Sequence, residues 1–97
     1  MWILQGSAPA TTFRLRPGAV KTVGRAPRAD FVVDAALVSR LHCRLTAAAD
    51  KLEVVDLKST NGTYVNGKRI DKAHLGDGDR LRVGRLELRV ERARGTA

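Results

Sequence analysis

Hydrophobic and polar residues alternate with a period of two along most of this chain. The clearest run extends from Arg85 to Glu91, where leucine or valine occupies every second position between charged residues. Such alternation is typical of a β-strand that buries one face and exposes the other to solvent. Similar or β-rich runs lie at residues 2–4, 13–16, 20–23, 31–33, 41–45, 52–54, 63–65 and 81–83. The pattern therefore predicts a chain built almost entirely from β-strands.

Turn-forming residues separate these runs at short intervals. Asn66-Gly67 stands between Val65 and Lys68. This pair predicts a type I′ hairpin, because both central residues of that turn need a positive φ. Nine or ten short strands in a chain of 97 residues predict an antiparallel β-sandwich. We expect residues 1–91 to form a single domain and residues 92–97 to be a frayed tail.

Residues 34–41 allow a second interpretation. Asp34 could cap a two-turn helix there, but eight residues make a marginal helix in water, and we expect a long loop. In a plain up-and-down meander, this loop and residues 25–30 would leave the sheet at opposite ends. The segment 34–40 can span ~23 Å at full stretch, which is enough to fold back beside Arg25.

Composition narrows the class of protein. The chain has 18 Lys and Arg residues against 10 Asp and Glu residues, a net charge of +8 that favours anionic partners. No apolar run exceeds four residues, which excludes a membrane-spanning helix and a secretory signal. We therefore expect an intracellular protein, cytoplasmic or, in a eukaryote, nuclear. Because Cys43 is the single cysteine and only His42 and His74 accompany it, we expect no disulfide, metal or cofactor.

Three short motifs stand at the edges of predicted strands: Gly24-Arg25, Ser39-Arg40-Leu41-His42 and Ser59-Thr60-Asn61-Gly62-Thr63. Together they resemble the forkhead-associated (FHA) domain, a phosphothreonine-binding module. The pattern of that family is Gly-Arg, then Ser-Arg-x-His, then Asn-Gly-Thr-x-Val-Asn-Gly, and the last part reads Asn-Gly-Thr-Tyr-Val-Asn-Gly at residues 61–67. The resemblance extends from about residue 3 to residue 90. Each motif alone is a weak signal, but three in order on an all-β pattern form a strong one.

The resemblance implies an FHA/SMAD-like antiparallel β-sandwich of about eleven short strands, with the ligand loops at one end. It also implies a non-catalytic module without a cofactor, which recognises phosphothreonine in partner proteins of Ser/Thr kinase signalling. In the manner of the family, Arg25, Ser39 and Arg40 would grip the phosphate. Asn61 would hold the peptide backbone beside the phosphoresidue, and Thr60 would help to line the phosphate site. Guanidinium, hydroxyl and carboxamide groups suit this task because all can donate hydrogen bonds to oxygen.

Four further residues are interpreted as structural support of the site. Gly24 and Gly62 let the backbone turn tightly, Asn66 holds the hairpin turn, and His42 braces the Ser39 loop from beneath. A hydrolase based on Ser39 and His42 is a competing interpretation, but the chain lacks the Gly-x-Ser-x-Gly nucleophile elbow. We therefore expect a monomeric binding domain rather than an enzyme. Such domains are usually appended to others, so this one can belong to a longer protein.

The basic region from Arg80 to Arg94 suggests an alternative function. Strand alternation places Arg80 and Arg82 on one outward face, and Arg85 and Arg89 on another with two glutamates. A basic stripe of this kind could bind nucleic acid or an acidic partner. The chain has only four aromatic residues, which argues against a platform for stacking bases and hence against nucleic acid. A solvated sheet face is the simpler explanation.

Overall fold

The computed structural model describes residues 1–7 and 10–93. The regular structure of these residues consists of eleven strands, and none of them is helical. The strands are β1 (Trp2–Ser7), β2 (Ala10–Leu15), β3 (Val20–Gly24), β4 (Phe31–Val32), β5 (Cys43–Ala47), β6 (Leu52–Asp56), β7 (Thr63–Val65), β8 (Lys68–Ile70), β9 (Lys72–Leu75), β10 (Arg80–Val83) and β11 (Leu86–Arg92). The expected all-β architecture of about eleven short strands is confirmed.

The strands form two sheets. Six strands make one sheet in the order β2-β1-β11-β10-β7-β8, and five make the other in the order β4-β3-β5-β6-β9. Every paired neighbour is antiparallel except β3 and β4, which run parallel with Val23 opposite Phe31 and Gly24 opposite Val32. The expected antiparallel β-sandwich is confirmed, and it contains this one short parallel pair among the described strands.

Hydrogen bonds between Asp30 and Thr22 explain the parallel pair. The Asp30 carboxylate accepts from the Thr22 amide at 2.8 Å and from its hydroxyl at 3.1 Å, and the Asp30 amide donates to the same hydroxyl at 3.1 Å. These contacts lower the pKa of the Asp30 carboxyl, and the hydrogen bond from the Thr22 backbone amide is the largest cause. They bring the residue before β4 to the middle of β3, so that the two strands can run in the same direction.

Alternate side chains of both sheets meet in the core between them. Trp2 is buried, and its indole nitrogen donates to the Ala48 carbonyl at 2.8 Å. Cys43 is also buried, and burial raises the pKa of its thiol to about 12. The core comprises Trp2, Leu4, Phe13, Leu15, Val23, Val33, Val38, Cys43, Leu45, Ala47, Leu52, Val54, Leu75, Leu81, Val83, Leu86, Leu88 and Val90. Cys43 therefore points into the core.

The direction of β4 determines where the loops emerge. Because β3 and β4 run parallel, both end at the same edge of their sheet. The start of β5 lies opposite the end of β3, and the end of β6 lies opposite the start of β5, with Cys43 paired to both Val23 and Asp56. The loops at residues 33–42 and 57–62 therefore leave the sandwich at one end. The segment 34–40 does not have to fold back along the sheet to reach Arg25, because β4 already ends at the same edge as β3.

Two local predictions are confirmed, and one is partly wrong. Residues 33–42 form a loop without a helix, and the hairpin between β7 and β8 has positive φ at Asn66 (50°) and Gly67 (83°). The predicted tail is not frayed at its first two residues. Arg92 pairs with Trp2 in the sheet, and the Ala93 amide donates to the Met1 carbonyl at 2.8 Å. Residues 94–97 lie outside the described residues.

Candidate functional site

A cavity of about 540 Å³ opens at the loop end of the sandwich. Two loops and the end of β3 enclose it, and we call it the main cavity. Its lining residues are Arg25, Asp34, Ala35, Ala36, Leu37, Val38, Ser39, Thr60 and Asn61. Four of the five predicted ligand residues therefore line one space, although they come from three separate segments of the chain.

Arg25 is fixed by backbone and side-chain contacts to the loop 33–42. Its amide donates to the Ser39 carbonyl, and the Ala26 amide donates to the Arg40 carbonyl, both at 3.0 Å. Its Nε donates to the Val38 carbonyl at 3.2 Å. The four N–H groups of the two terminal nitrogens remain for a ligand. No ion pair among the described residues involves this guanidinium.

Hydrogen bonds also tie the two loops to each other across the main cavity. Ser39 Oγ accepts from the Thr60 amide at 3.0 Å, and its own hydroxyl proton remains available for donation. Asn61 Nδ2 donates to the Leu37 carbonyl at 3.1 Å. That leaves the Asn61 side chain one N–H and its carbonyl oxygen for other partners.

His42 lies beneath both loops and is fully buried. The Ser39 amide donates to its Nδ1 at 3.0 Å, so Nδ1 carries no proton and the proton resides on Nε2. Nε2 then donates to the Gly62 carbonyl at 2.8 Å. The imidazole therefore links the segment containing Ser39 to the segment containing Asn61, a geometry that matches the bracing role predicted for it.

A carboxylate that the sequence reasoning missed organises the second loop. The hydroxyls of Ser59 and Thr63 donate to Asp56 Oδ1 at 2.5 and 2.7 Å. Ser59 Oγ in turn accepts from the Gly62 amide at 3.0 Å. Burial raises the pKa of the Asp56 carboxyl, but the hydrogen bonds from Ser59 and Thr63 outweigh it and hold that pKa below its usual range. The available signal was weak, since an aspartate side chain often bonds backbone groups of the turn that follows it, as Asp56 Oδ2 does with the Ser59 amide at 3.2 Å.

Both supporting glycines lie where a side chain would collide. A Cβ on Gly24 would lie 2.1 Å from the Arg40 carbonyl oxygen. Gly62 has a φ of +90°, and its Cβ would lie 2.7 Å from Arg69 Nε. Glycine is therefore the residue that lets β3 approach the first loop and lets the second loop turn.

Asn66 lies away from the main cavity and anchors its hairpin. Its Nδ2 donates to Asp79 Oδ1 at 3.1 Å, and its Oδ1 accepts from the Arg80 amide at 2.9 Å. These bonds join the β7–β8 turn to the start of β10. The geometry agrees with a supporting role and with no direct ligand contact.

Arg40 is the one predicted ligand residue that does not line the main cavity. It lines a smaller hollow of about 260 Å³ with Arg25, Ala26 and Pro27. Arg25 lines both spaces. The predicted grip of Arg40 on the same phosphate stays a prediction.

One wall of the main cavity, which includes the Asp34 carboxylate, was not predicted as part of the site. Residues 34–38 were interpreted only as a connecting loop, yet all five line the cavity. Leu37 adopts a left-handed conformation (φ 73°) and is 45% exposed. Its carbonyl oxygen accepts a hydrogen bond from Asn61 Nδ2. No residue pattern in this stretch predicts that backbone role.

Most basic residues of the alternative interpretation lie on strands β10 and β11 of the six-stranded sheet. Arg80 lies opposite Arg89, and Arg82 opposite Glu87, so these side chains share one face. Arg85 instead lies in the turn between β10 and β11. The predicted division into two arginine faces is therefore wrong. Charges of both signs alternate there, with Arg80 Nη1 at 3.5 Å from Glu87 Oε1, while Arg94 lies outside the described residues.

The described part of the chain has no helix with the length and apolar character needed to span a lipid bilayer. Within the same residues, no group of three or more His, Cys, Asp or Glu side chains is placed to hold a metal ion.

Comparisons with known proteins agree with this geometry. The chain is 44% identical over 77 residues to the ABC transporter ATP-binding/permease protein Rv1747 of Mycobacterium tuberculosis, covering 79% of this chain and 9% of the transporter. It is 39% identical over 70 residues to the glycogen accumulation regulator GarA of the same species, covering 72% of this chain and 43% of GarA. The chain therefore spans less than half the length of either relative.

A solved structure and a family model both cover most of the chain. A domain solved for the structural and functional analysis of phosphothreonine-dependent FHA domain interactions superposes with a TM-score of 0.87 at 33% identity, covering 96% of this chain and 97% of that one. The family model of the FHA domain matches residues 21–84, which include all three motifs and both loops of the main cavity. This chain belongs to the FHA domain family.

Proposed function

We propose that this FHA domain binds phosphothreonine in partner proteins or peptides of Ser/Thr kinase signalling, through the main cavity. One observation carries the proposal. Arg25, Ser39, Thr60 and Asn61 come from three chain segments, yet they line one open space at the end of the sandwich. Buried contacts such as those of His42 support that convergence.

The available groups suit a phosphate. A phosphothreonine carries a charge of about −1.5 to −2 at neutral pH and three strong acceptor oxygens. Arg25 presents its two terminal nitrogens as a planar fork, and charge-assisted bonds of this kind are roughly twice as strong as neutral ones. Ser39 adds a hydroxyl donor, and Thr60 adds another from the facing loop. Arg40 adds positive charge from the neighbouring hollow.

The carboxamide of Asn61 suits a peptide backbone. One of its N–H groups is held by the Leu37 carbonyl, which fixes the plane of the amide. Its carbonyl oxygen and remaining N–H can then pair with one N–H and one C=O of an extended peptide. A neutral group is appropriate here, because backbone groups of the ligand carry no charge to neutralise.

We also propose that the domain is non-catalytic, monomeric and intracellular. His42 is the histidine nearest to Ser39, but both of its ring nitrogens are bonded to backbone groups in the core. It therefore cannot take the proton from the Ser39 hydroxyl as a general base. The domain therefore binds the phosphate without cleaving it, and the outcome of binding is a complex with the partner.

Calorimetric titration tests the proposal. Wild-type protein is titrated with a phosphothreonine peptide and with its unphosphorylated form, and Arg25→Ala with the phosphopeptide. Removing one partner of a buried charge-assisted pair costs ~2–5 kcal/mol, or about 30-fold or more in affinity. Arg28→Ala is the matched control, because Arg28 is exposed in the same connection but does not line the main cavity. Micromolar binding retained by a folded Arg25→Ala protein would refute the assignment.

A further inference from the structure

Arg69 on β8 packs against the backbone of the second loop, although it lies outside the three short motifs. A Cβ on Gly62 would lie 2.7 Å from Arg69 Nε, 3.1 Å from its Cζ and 3.2 Å from its Cδ. The outer half of the Arg69 side chain therefore occupies the space directly beside the Gly62 Cα. Gly62 is buried and Arg69 is exposed, so the arginine covers the glycine from the solvent side.

The register of the β7–β8 hairpin places Arg69 within reach of Gly62. Tyr64 lies opposite Arg69, and Gly62 lies two residues before Tyr64, which is at most about 7 Å along an extended chain. The Tyr64 ring is covered by a different arginine, since Arg82 Cζ lies 4.2 Å from the ring centroid. Arg69 instead extends toward the second loop.

The contact that Arg69 makes is packing rather than charge pairing. None of the ion pairs among residues 1–7 and 10–93 involves its guanidinium, and the residue does not line the main cavity. Arginine side chains commonly lay their stem on apolar surface while the charged end remains in water. The Gly62 Cα offers such a surface, because no side chain of its own covers it.

The Arg69 contact completes a set of three restraints on Gly62. The Gly62 amide donates to Ser59 Oγ at 3.0 Å, and the Gly62 carbonyl accepts from His42 Nε2 at 2.8 Å. Glycine has more backbone freedom than any other residue, so each restraint reduces the number of loop conformations. Because the peptide bond between Asn61 and Gly62 is planar, fixing Gly62 also restricts the backbone of Asn61.

We propose that Arg69 is a positioning residue for phosphothreonine binding, which holds Gly62 so that the neighbouring Asn61 carboxamide is placed to pair with a peptide. The inference rests on the proposed function. The Asn61 side chain has a bond of its own, from Nδ2 to the Leu37 carbonyl at 3.1 Å, but this bond is exposed. Without Arg69, the outer side of Gly62 opens to water. Part of the order of the loop must then be gained on binding, which weakens affinity.

Calorimetric titration of a phosphothreonine peptide into the whole chain compares the wild type with three variants. Arg69→Ala removes the packing and should weaken binding about three- to tenfold. Arg69→Met retains an unbranched stem without the charge and should bind within about twofold of the wild type. Lys68→Ala is the matched control, because it removes the same charge from the adjacent exposed residue, and it should also stay within about twofold. Circular dichroism establishes that each variant is folded.

A double-mutant cycle tests whether Arg69 acts through Asn61. Arg69→Ala is combined with Asn61→Ala, and the weak affinities of the Asn61→Ala proteins are measured by NMR titration. Once the carboxamide is absent, Arg69→Ala should change the affinity by less than about twofold.

Hydrogen exchange of the Gly62 amide provides a measurement that needs no ligand. Local opening of the loop would expose this amide, which is bonded to Ser59 Oγ in a buried position. Exchange should therefore be about tenfold faster in Arg69→Ala than in the wild type. Arg69→Met should exchange at nearly the wild-type rate, because its stem still covers Gly62.

Each outcome supports or overturns the positioning role. Unchanged affinity in Arg69→Ala, unchanged exchange of the Gly62 amide, or an equal loss with and without the Asn61 carboxamide overturns it. A loss in Arg69→Met as large as that in Arg69→Ala also overturns it, and assigns the Arg69 charge to the ligand. The exchange measurement decides where Asn61→Ala binds too weakly to titrate. In all these cases the wild type still binds, whereas failure of the wild type to bind the phosphopeptide would refute the proposed function and the positioning role with it.

Discussion

Replacing His42 with alanine tests whether the two loops are held from below. The imidazole accepts from the Ser39 amide and donates to the Gly62 carbonyl. Its removal leaves both backbone groups without partners in a poorly hydrated space, at about 1–3 kcal/mol each, and it leaves a void in the core. We therefore expect a loss of about 3–5 kcal/mol from the roughly 5–15 kcal/mol of a domain this size.

Thermal unfolding measures this loss. For a domain of about 100 residues, 1 kcal/mol corresponds to a shift of about 4–8 °C in Tm, so His42→Ala should unfold at least ~12 °C lower. His74→Ala is the matched control, because its side chain is 58% exposed and its contact with Glu53 is long, at 3.6 Å. His42→Gln keeps a donor and an acceptor and should fall between the two.

Ligand affinity provides a second measurement, at a temperature where the variant is folded. Without the imidazole, the loops that carry Ser39 and Asn61 keep their two exposed hydrogen bonds and the backbone bond from the Leu57 amide to the carbonyl of residue 42, but they lose the buried link between Ser39 and Gly62. Binding must then order the loops, and we expect at least about tenfold weaker affinity for a phosphothreonine peptide. A His42→Ala protein that matches His74→Ala in both Tm and affinity would show that the imidazole does not brace the site.

Two further substitutions test the supports of the loops. Gly24→Ala introduces a Cβ 2.1 Å from the Arg40 carbonyl oxygen and should cost about 2–4 kcal/mol in urea unfolding. Gly76→Ala, where such a Cβ would lie 3.8 Å from Asp79 Oδ2, should cost under ~1 kcal/mol, and equal midpoints for the two variants would contradict the steric argument. Because the pKa of Asp56 is lowered in the folded protein, the unfolded chain binds more protons, so stability should fall as pH drops below about 5. Asp56→Asn should lose ~1–3 kcal/mol at pH 7 and show less of that acid sensitivity, whereas Asp50→Asn should follow the wild type.

Period-two alternation and turn chemistry were sufficient to predict most strands and the Asn66-Gly67 hairpin. Both signals are local, since alternation indicates that one face of a strand is buried, and the turn needs positive φ at two adjacent residues. The parallel β3–β4 pair is different in kind. It depends on Asp30 reaching Thr22 across eight residues, and no periodicity carries that information.

The candidate site divides in a similar way. Residues with distinctive chemistry, such as Arg25 and Asn61, were predicted from motifs, and they line the main cavity. The wall at residues 34–38 was not predicted, because its contact with Asn61 is made by a backbone carbonyl, which every residue carries. The position of Arg40 was also beyond the motif, since adjacent residues of an irregular loop can point to different spaces. Ser39 and Arg40 do so here.

The motif residues that face away from the ligand explain how a small domain can maintain an anion site. A loop that becomes ordered only on binding loses conformational freedom at that moment, and this cost reduces affinity. Here the close approach at Gly24 and the hydrogen bonds of His42, one of them to Gly62, join the loops to each other and to β3 through contacts within the protein. Arg25 is likewise oriented beforehand by the Val38 carbonyl. The free energy of the charge-assisted bonds to a phosphate is then available for affinity, so substitutions of these buried supports should weaken binding without removing a ligand contact.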